Sequence, residues 1–212
     1  MPIEGKEVLL TVPQFSRAPK ITASRATSMV SLSDAARVQA YIGKTALHSF
    51  TAEYLFRTRA EIAAFEDFFY DRAGKWESFW LPGWHAELNL AASLLSGATA
   101  VPITAVDYAN VYDPLHAETK RLGHYAYLHD ADGTIHTSLV TAASGPDANG
   151  QEWLTLGTAT GKAYTLGQCY LGFLYHVRFA ADELRLEWSG VNEAKTQVGF
   201  LEAAQATSLS DA

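Results

Sequence analysis

Residues 48–84 read HSFTAEYLFRTRAEIAAFEDFFYDRAGKWESFWLPGW, and the hydrophobic pattern changes period inside that stretch. Phe50, Ala52, Tyr54 and Phe56 alternate, as on one face of a half-buried strand. Thr58 to Glu61 (TRAE) then has the form of a capping box, in which a threonine hydroxyl accepts from a first-turn amide and the glutamate reaches back. A helix is expected to start there. Ile62, Phe65, Phe69 and Ala73 give it an apolar stripe with Phe68 beside it, while Glu66, Asp67 and Arg72 face outward. Gly74 is expected to end it as a C′ glycine. Next, Lys75 to Trp84 (KWESFWLPGW) packs tryptophans and a phenylalanine into one short run, and Pro82-Gly83 marks a sharp turn after a strand.

On the N-terminal side, Val8, Leu10 and Val12 alternate, and the Ser, Ala and Arg-rich stretch from Ser16 to Ala40 shows little period. It is expected to be a long loop or arm. On the C-terminal side His85 to Leu90 alternates again, and from Gly97 the character changes. Short alternating runs stand at Val101–Val106, Gly123–His129, Ile135–Thr141, Trp153–Leu156 and Cys169–Leu171. Asp132-Gly133, Gly145-Pro146, Asn149-Gly150 and Gly161 split them, a spacing that suits a small barrel or sandwich. Phe173–Ala180 and Glu183–Trp188 are expected to form a closing hairpin joined across Ala181-Asp182, with a last strand over Thr196–Glu202. Val177, Phe179, Leu184, Leu186 and Trp188 are read as core, and Arg178 as a partner for Asp182 or Glu187. The small, polar stretch from Ala203 to Ala212 is expected to be disordered or an arm.

Composition bounds the function. A chain of 212 residues, 48% of them hydrophobic, has room for one large domain or two small ones around a real core. Sixteen basic against 23 acidic residues leave a formal charge of -7, which argues against a surface built for nucleic-acid phosphates or anionic lipid. A protein partner is expected. The start, MPIEGKEVLL, lacks a basic flank followed by a long apolar core, and no stretch reaches the roughly 18 apolar residues of a membrane span. The expectation is a soluble protein, cytoplasmic when made, with no membrane insertion. Cys169, the single cysteine, sits among apolar residues in LGQCYLG and reads as a small buried hydrophobe.

Two stretches carry a resemblance to a family. AEIAAFEDFFYDRAGKWESFWLPGWHAEL resembles the helix, glycine, aromatic strand and proline turn of siphophage distal tail proteins and related minor tail proteins, and YHVRFAADELRLEW resembles their C-terminal hairpin. The likeness covers residues 48–90 and 170–202; residues 98–168 resemble the β-domain often inserted between those halves. It implies a mainly β fold: a tail-tube-like β-sandwich or split barrel with one packed helix and an inserted small β-barrel domain. The implied domains are residues 1–97 with 169–212, and residues 98–168. The implied role is structural, in a bacteriophage virion at the distal end of the tail, where copies close into a ring, usually a hexamer. That ring would join the tail tube protein above to the baseplate hub protein below, with tape measure or fibre proteins as further partners. The family carries no catalytic residues and no cofactor, and none is expected here.

Interface candidates follow from the aromatic run: Trp76, Phe79, Trp80, Pro82 and Trp84, each able to serve the subunit core instead. The acidic balance would also let a tail lumen repel passing DNA. An alternative function is a baseplate-associated module that binds host carbohydrate, with Tyr108, Tyr112 and Trp153 as stacking contacts and Tyr125, Tyr127 and Tyr164 as further aromatics. The same rings fill a small β-core equally well. Seven histidines are scattered, none at the HxxxH spacing of a helical metal pair, although His129 and His136 lie either side of the Asp130–Gly133 turn and could approach each other. That turn resembles a calcium loop only faintly, lacking the glycine and terminal glutamate at their positions. No GxSxG, P-loop or GxGxxG occurs, and Glu87 with Asp107 is the carboxylate pair whose separation a sequence leaves open.

Overall fold

The structure is a computed structural model that describes residues 3, 5–15, 19–24, 27–32, 36–41, 47–111 and 125–203. In chain order the elements are β1 (Lys20–Ser24), β2 (Thr27–Leu32), β3 (Ala36–Tyr41), β4 (Leu47–Phe56), α1 (Arg59–Asp71), β5 (Phe79–Pro82) and β6 (Ala100–Thr104). They continue with α2 (Tyr108–Val111), β7 (Tyr125–Asp130), β8 (Ile135–Ala143), β9 (Gln151–Leu156), β10 (Cys169–Phe179), β11 (Glu187–Trp188) and β12 (Ala194–Glu202). The protein is mainly β, and its paired strands run antiparallel. Eight strands are hydrogen-bonded along an open path from β1 to β6, β5 on β10 and β11 on β12 bring the sheet to ten, and β2 and β3 form a separate two-stranded ribbon. Of the expected small barrel or sandwich, the barrel is not seen among the described residues, where β6 pairs with β9 alone among the strands.

Two compact units divide the chain, one from residues 11–78 and 177–204, the other from residues 1–10 and 79–176. In the first, the helix unit, β4 lies between β1 and β12, with Phe50 opposite both Ile21 and Phe200. The alternation read in the sequence sets the face: Phe50, Ala52, Tyr54 and Phe56 are buried, as are Thr196, Val198 and Phe200 of β12. Helix α1 covers that face with Ile62, Phe65 and Phe69. The Phe65 ring lies 5.0 Å from Tyr54 and 5.2 Å from Phe56, and Phe69 lies 4.9 Å from Phe179, tilted or edge-on as ring quadrupoles favour.

Local chemistry fixes both ends of α1. Thr58 Oγ1 accepts from Glu61 N at 3.2 Å and Glu61 Oε2 accepts from Thr58 N at 3.2 Å, completing the expected capping box. At the other end Gly74 N donates to Phe69 O and Ala73 N to Tyr70 O, the two bonds of a Schellman motif. The left-handed C′ residue is therefore Ala73, at φ 47°, one position before the glycine expected there. Gly74 follows as C″ at φ 62°, and its hydrogen faces the next layer: a Cβ would stand 2.8 Å from Asp182 Oδ1 and 3.0 Å from Asp182 Cα. Asp182 uses that proximity to accept from Lys75 N at 3.0 Å and to pair with Lys75 Nζ at 2.8 Å.

In the second, the tryptophan unit, the sheet order is β10, β7, β8, β9, β6, with β5 also on β10. Residues 7–9 line the other side of β5, where Trp80 N donates to Glu7 O at 2.8 Å and Leu9 N to Trp80 O at 2.9 Å. Trp80 packs with Tyr125, Tyr127 and Leu174, its indole N–H donating to Ile3 O at 3.1 Å. The chain after β5 is sewn on by bridges from Leu88 to Leu171, Leu90 to Ile103 and Leu94 to Tyr164.

Two expectations need correcting. Residues 16–40 were expected to be a long loop or arm, yet β1, β2 and nearly all of β3 fall there; their pairing is between backbones, and KITAS, TSMVSL and ARVQAY show little regular alternation. The stretch from Phe173 to Trp188 is not a hairpin, because the end of β10 pairs with β12 and the two-residue β11 pairs with β12 as well. Val177 and Phe179 are core, Leu184 and Leu186 are half-buried, and Trp188 is exposed beneath the Arg59 guanidinium, 4.3 Å from its ring centre. By compactness the chain divides in sequence at 78/79 and 176/177, and β5 and residues 88–94 find partners on β10, β6 and Tyr164.

Gly74→Ala is expected to destabilise the protein by about 1–3 kcal/mol in urea unfolding, combining left-handed strain with the Asp182 overlap. Thr58→Ala should cost about 1 kcal/mol through the lost cap.

Candidate functional site

The aromatic run after α1 divides sharply by exposure. Phe79, Trp80, Pro82 and Trp84 are buried within the tryptophan unit, Trp80 to 1% exposure. Trp80 stacks obliquely on Tyr125 at 4.7 Å, and Trp84 meets Tyr127 at 6.1 Å and His129 at 5.8 Å. Of the two roles open to them, subunit core and interface, these four fill the core of the subunit, β5 being buried along its whole length. Trp76 is different. It belongs to the helix unit, just past the Schellman turn, and is 83% exposed; Tyr70, on the last turn of α1, is 69% exposed. Large exposed aromatics at the end of a rigid, doubly capped helix have the character of docking anchors.

The carbohydrate candidates separate in the same way. Tyr108 is buried at the start of α2 beside Phe173, at 6.4 Å, and Tyr125, Tyr127 and Tyr164 are buried too. Tyr112 lies outside the described residues, as do His116 and His124. Trp153, 42% exposed on β9, is the one of the three named stacking contacts seen to face solvent. One residue that the sequence reading passed over holds this region: Glu152 is fully buried, and its Oε2 accepts from Tyr108 N at 2.9 Å and Val106 N at 3.4 Å. A glutamate in phase with Leu154 and Leu156 on the buried face of β9 was the available signal.

The titratable clusters have local partners. In the β7–β8 register His129 faces Ile135 and His136 faces Leu128, so alternation sends the two imidazoles to opposite sides of the sheet. His136 Nε2 lies 3.3 Å from Thr158 O, and burial lowers the pKa of both histidines. At the turn between those strands, Lys162 Nζ pairs with Asp130 Oδ2 at 2.6 Å and also with Asp132, placing an ammonium where a loop cation would sit. Those hydrogen bonds raise the lysine pKa and lower that of Asp132. Cys169 is half-buried rather than fully buried, and burial with the nearby Asp130 charge pushes its thiol up to about 12, so it is a poor nucleophile at neutral pH. Glu87 and Asp107 have separate surroundings: Asp107 Oδ1 accepts from Asn110 Nδ2 at 2.7 Å, whereas Glu87 is enclosed beside β10.

A surface cavity of about 440 Å³ lies on the helix unit, where Thr51, Glu53, Gln197 and Gly199 of β4 and β12 form a floor under Arg185 and Glu187. Its charges are matched locally, Lys195 Nζ with Glu187 Oε2 at 3.0 Å and Arg185 Nε with Glu183 Oε1 at 2.9 Å.

Compared with known proteins, the sequence matches no family model and no curated protein.

Two substitutions separate the buried and exposed tryptophans. Trp80→Ala is expected to cost about 3–5 kcal/mol of stability, and Trp76→Ala to stay within about 0.5 kcal/mol, both by denaturant unfolding of the monomer.

Proposed function

We propose that this chain is a structural, non-enzymatic component of a bacteriophage tail tip, whose copies close into a ring that connects the tail tube to the baseplate hub. The observation that carries the reading is the open end of the sheet in the helix unit. Among the described residues, β1 pairs with β4 on one side and with no strand on the other, and the chain runs on into the β2–β3 ribbon, which pairs only with itself. An edge of unpaired backbone groups is completed most simply by another strand, and a heterologous contact of that kind closes a ring when its rotation permits. The exposed Trp76 beside the end of α1 supplies a large rigid side chain of the type that anchors such contacts.

The reading takes its sheet-and-helix frame from α1 packed on β4 and β12, the part of the chain that carries the likeness to distal tail proteins. Residues 98–168 serve in it as an appended β-module, with Trp153 as its exposed aromatic. The predominance of acidic residues suits a lumen that lets DNA pass without binding it.

Native mass spectrometry of the purified protein, with electron microscopy, tests this. A closed ring, six-fold by the family likeness, is the expected species. Trp76→Ala should weaken self-association by about 2 kcal/mol or more, roughly 30-fold, while the monomer stays folded. A monomer at every concentration, or one with a hydrolytic activity, would overturn the proposal.

A further inference from the structure

The Pro82-Gly83 turn takes the chain out of β5 and lays the next residues along β10, with Gly83 N donating to Phe173 O at 3.0 Å and Leu88 N to Leu171 O at 3.2 Å. Between those two bonds Glu87 turns its carboxyl inward. Its Oε2 accepts from Phe173 N at 3.2 Å, and its Oε1 lies 3.4 Å from the Tyr175 hydroxyl and 3.3 Å from His85 Nε2.

Two glycines make the space. A Cβ on Gly83 would stand 2.2 Å from Glu87 Oε1, and a Cβ on Gly172 would stand 2.2 Å from Oε2, besides 2.7 Å from both His85 O and a Tyr127 ring carbon. Neither glycine has a positive φ, so what the positions require is room for the carboxyl and not a special backbone conformation. Gly83, Glu87 and Gly172 form one notch built from a turn, the segment it feeds and a central strand.

The groups facing this carboxyl are few. The segment itself brings His85, β10 brings the Phe173 amide and Tyr175, and β7 brings Tyr127, whose hydroxyl donates to His85 O at 3.3 Å. Among the described residues, neither lysine nor arginine is one of them. Burial dominates: the carboxyl is pushed up to about 7, although the hydrogen bonds from Phe173 and Tyr175 pull the other way. The buried phenol of Tyr127 is likewise raised by burial, with the Glu87 charge adding to it.

We propose that Glu87 is a proton-operated latch: seated uncharged between Gly83 and Gly172, its carboxyl holds residues 83–90 against β10, and its ionisation loosens that hold. In the latched state the proton stays on to about pH 7, whereas a glutamate released to water loses it near 4.5. The latch contribution is therefore complete below about 4.5 and is lost as pH rises through 7. The 83–90 segment becomes the part of the tryptophan unit whose docking responds to pH near neutrality.

Amide hydrogen exchange of Gly83 and Leu88 in the full chain, corrected for intrinsic rates, reads the opening directly. Between about pH 5.5 and 8 the opening constant should rise on the order of tenfold or more in the natural protein, and stay flat in Glu87→Gln, which keeps the shape but carries no charge. Gly172→Ala should open the segment at both pH values by filling the notch. A carbon-13 titration of the Glu87 carboxyl in the natural protein gives a second readout that needs no variant, with a midpoint expected near 7. The same pH dependence in Glu87→Gln, a flat natural protein, or a carboxyl that titrates near 4.5 would each overturn the latch.

Discussion

β10 is buried without interruption from Leu171 to Val177, and each compact unit takes part of it. A strand with only one covered face alternates; one enclosed on both faces admits no polar side chain without a partner, and LGFLYHV is what such a strand reads like. Within the tryptophan unit its beginning pairs with β7, and within the helix unit its end pairs with β12. Two residues in the run that are not large and apolar have a structural setting. Gly172 leaves space for the Glu87 carboxyl, and the His176 ring lies 5.1 Å from Trp80.

What the sequence made legible was what depends on near neighbours. The capping box at Thr58, the stripe of Ile62, Phe65 and Phe69, and the alternation through β4 all follow from spacings of two, three or four residues, and all stand as read. The stop signal was displaced by one residue because the Schellman bonds put Ala73, not Gly74, in the left-handed position. Gly74 is needed instead for the approach of Asp182, a distant partner that local spacing does not announce. β1, β2 and β3 escaped notice for a related reason: their pairing is between backbones, and their sequences carry little regular alternation to record it. The false hairpin at 173–188 had a plausible alternation on both sides of Ala181-Asp182, yet β12 offered a longer partner for both strands.

Of the candidate site, the sequence singled out the aromatic run but not the division within it. Phe79, Trp80, Pro82 and Trp84 look no different from Trp76 by composition; the pairing of β5 with β10 buries the first four and leaves Trp76 outside on the helix unit. Glu87 was visible only as a carboxylate of unknown company. Its surroundings depend on two glycines, one of them far along the chain on β10, and no short motif records that meeting. The two features therefore give the molecule different capacities, an exposed aromatic anchor in one unit and a titratable clasp in the other.

An electron cryomicroscopy reconstruction of the assembled protein tests the central claim most directly. The account predicts a closed ring in which the outer edge of β1 is hydrogen-bonded to a strand of the neighbouring copy and the Trp76 ring is covered. A discrete assembly in which β1 and Trp76 both remain open to solvent would contradict it.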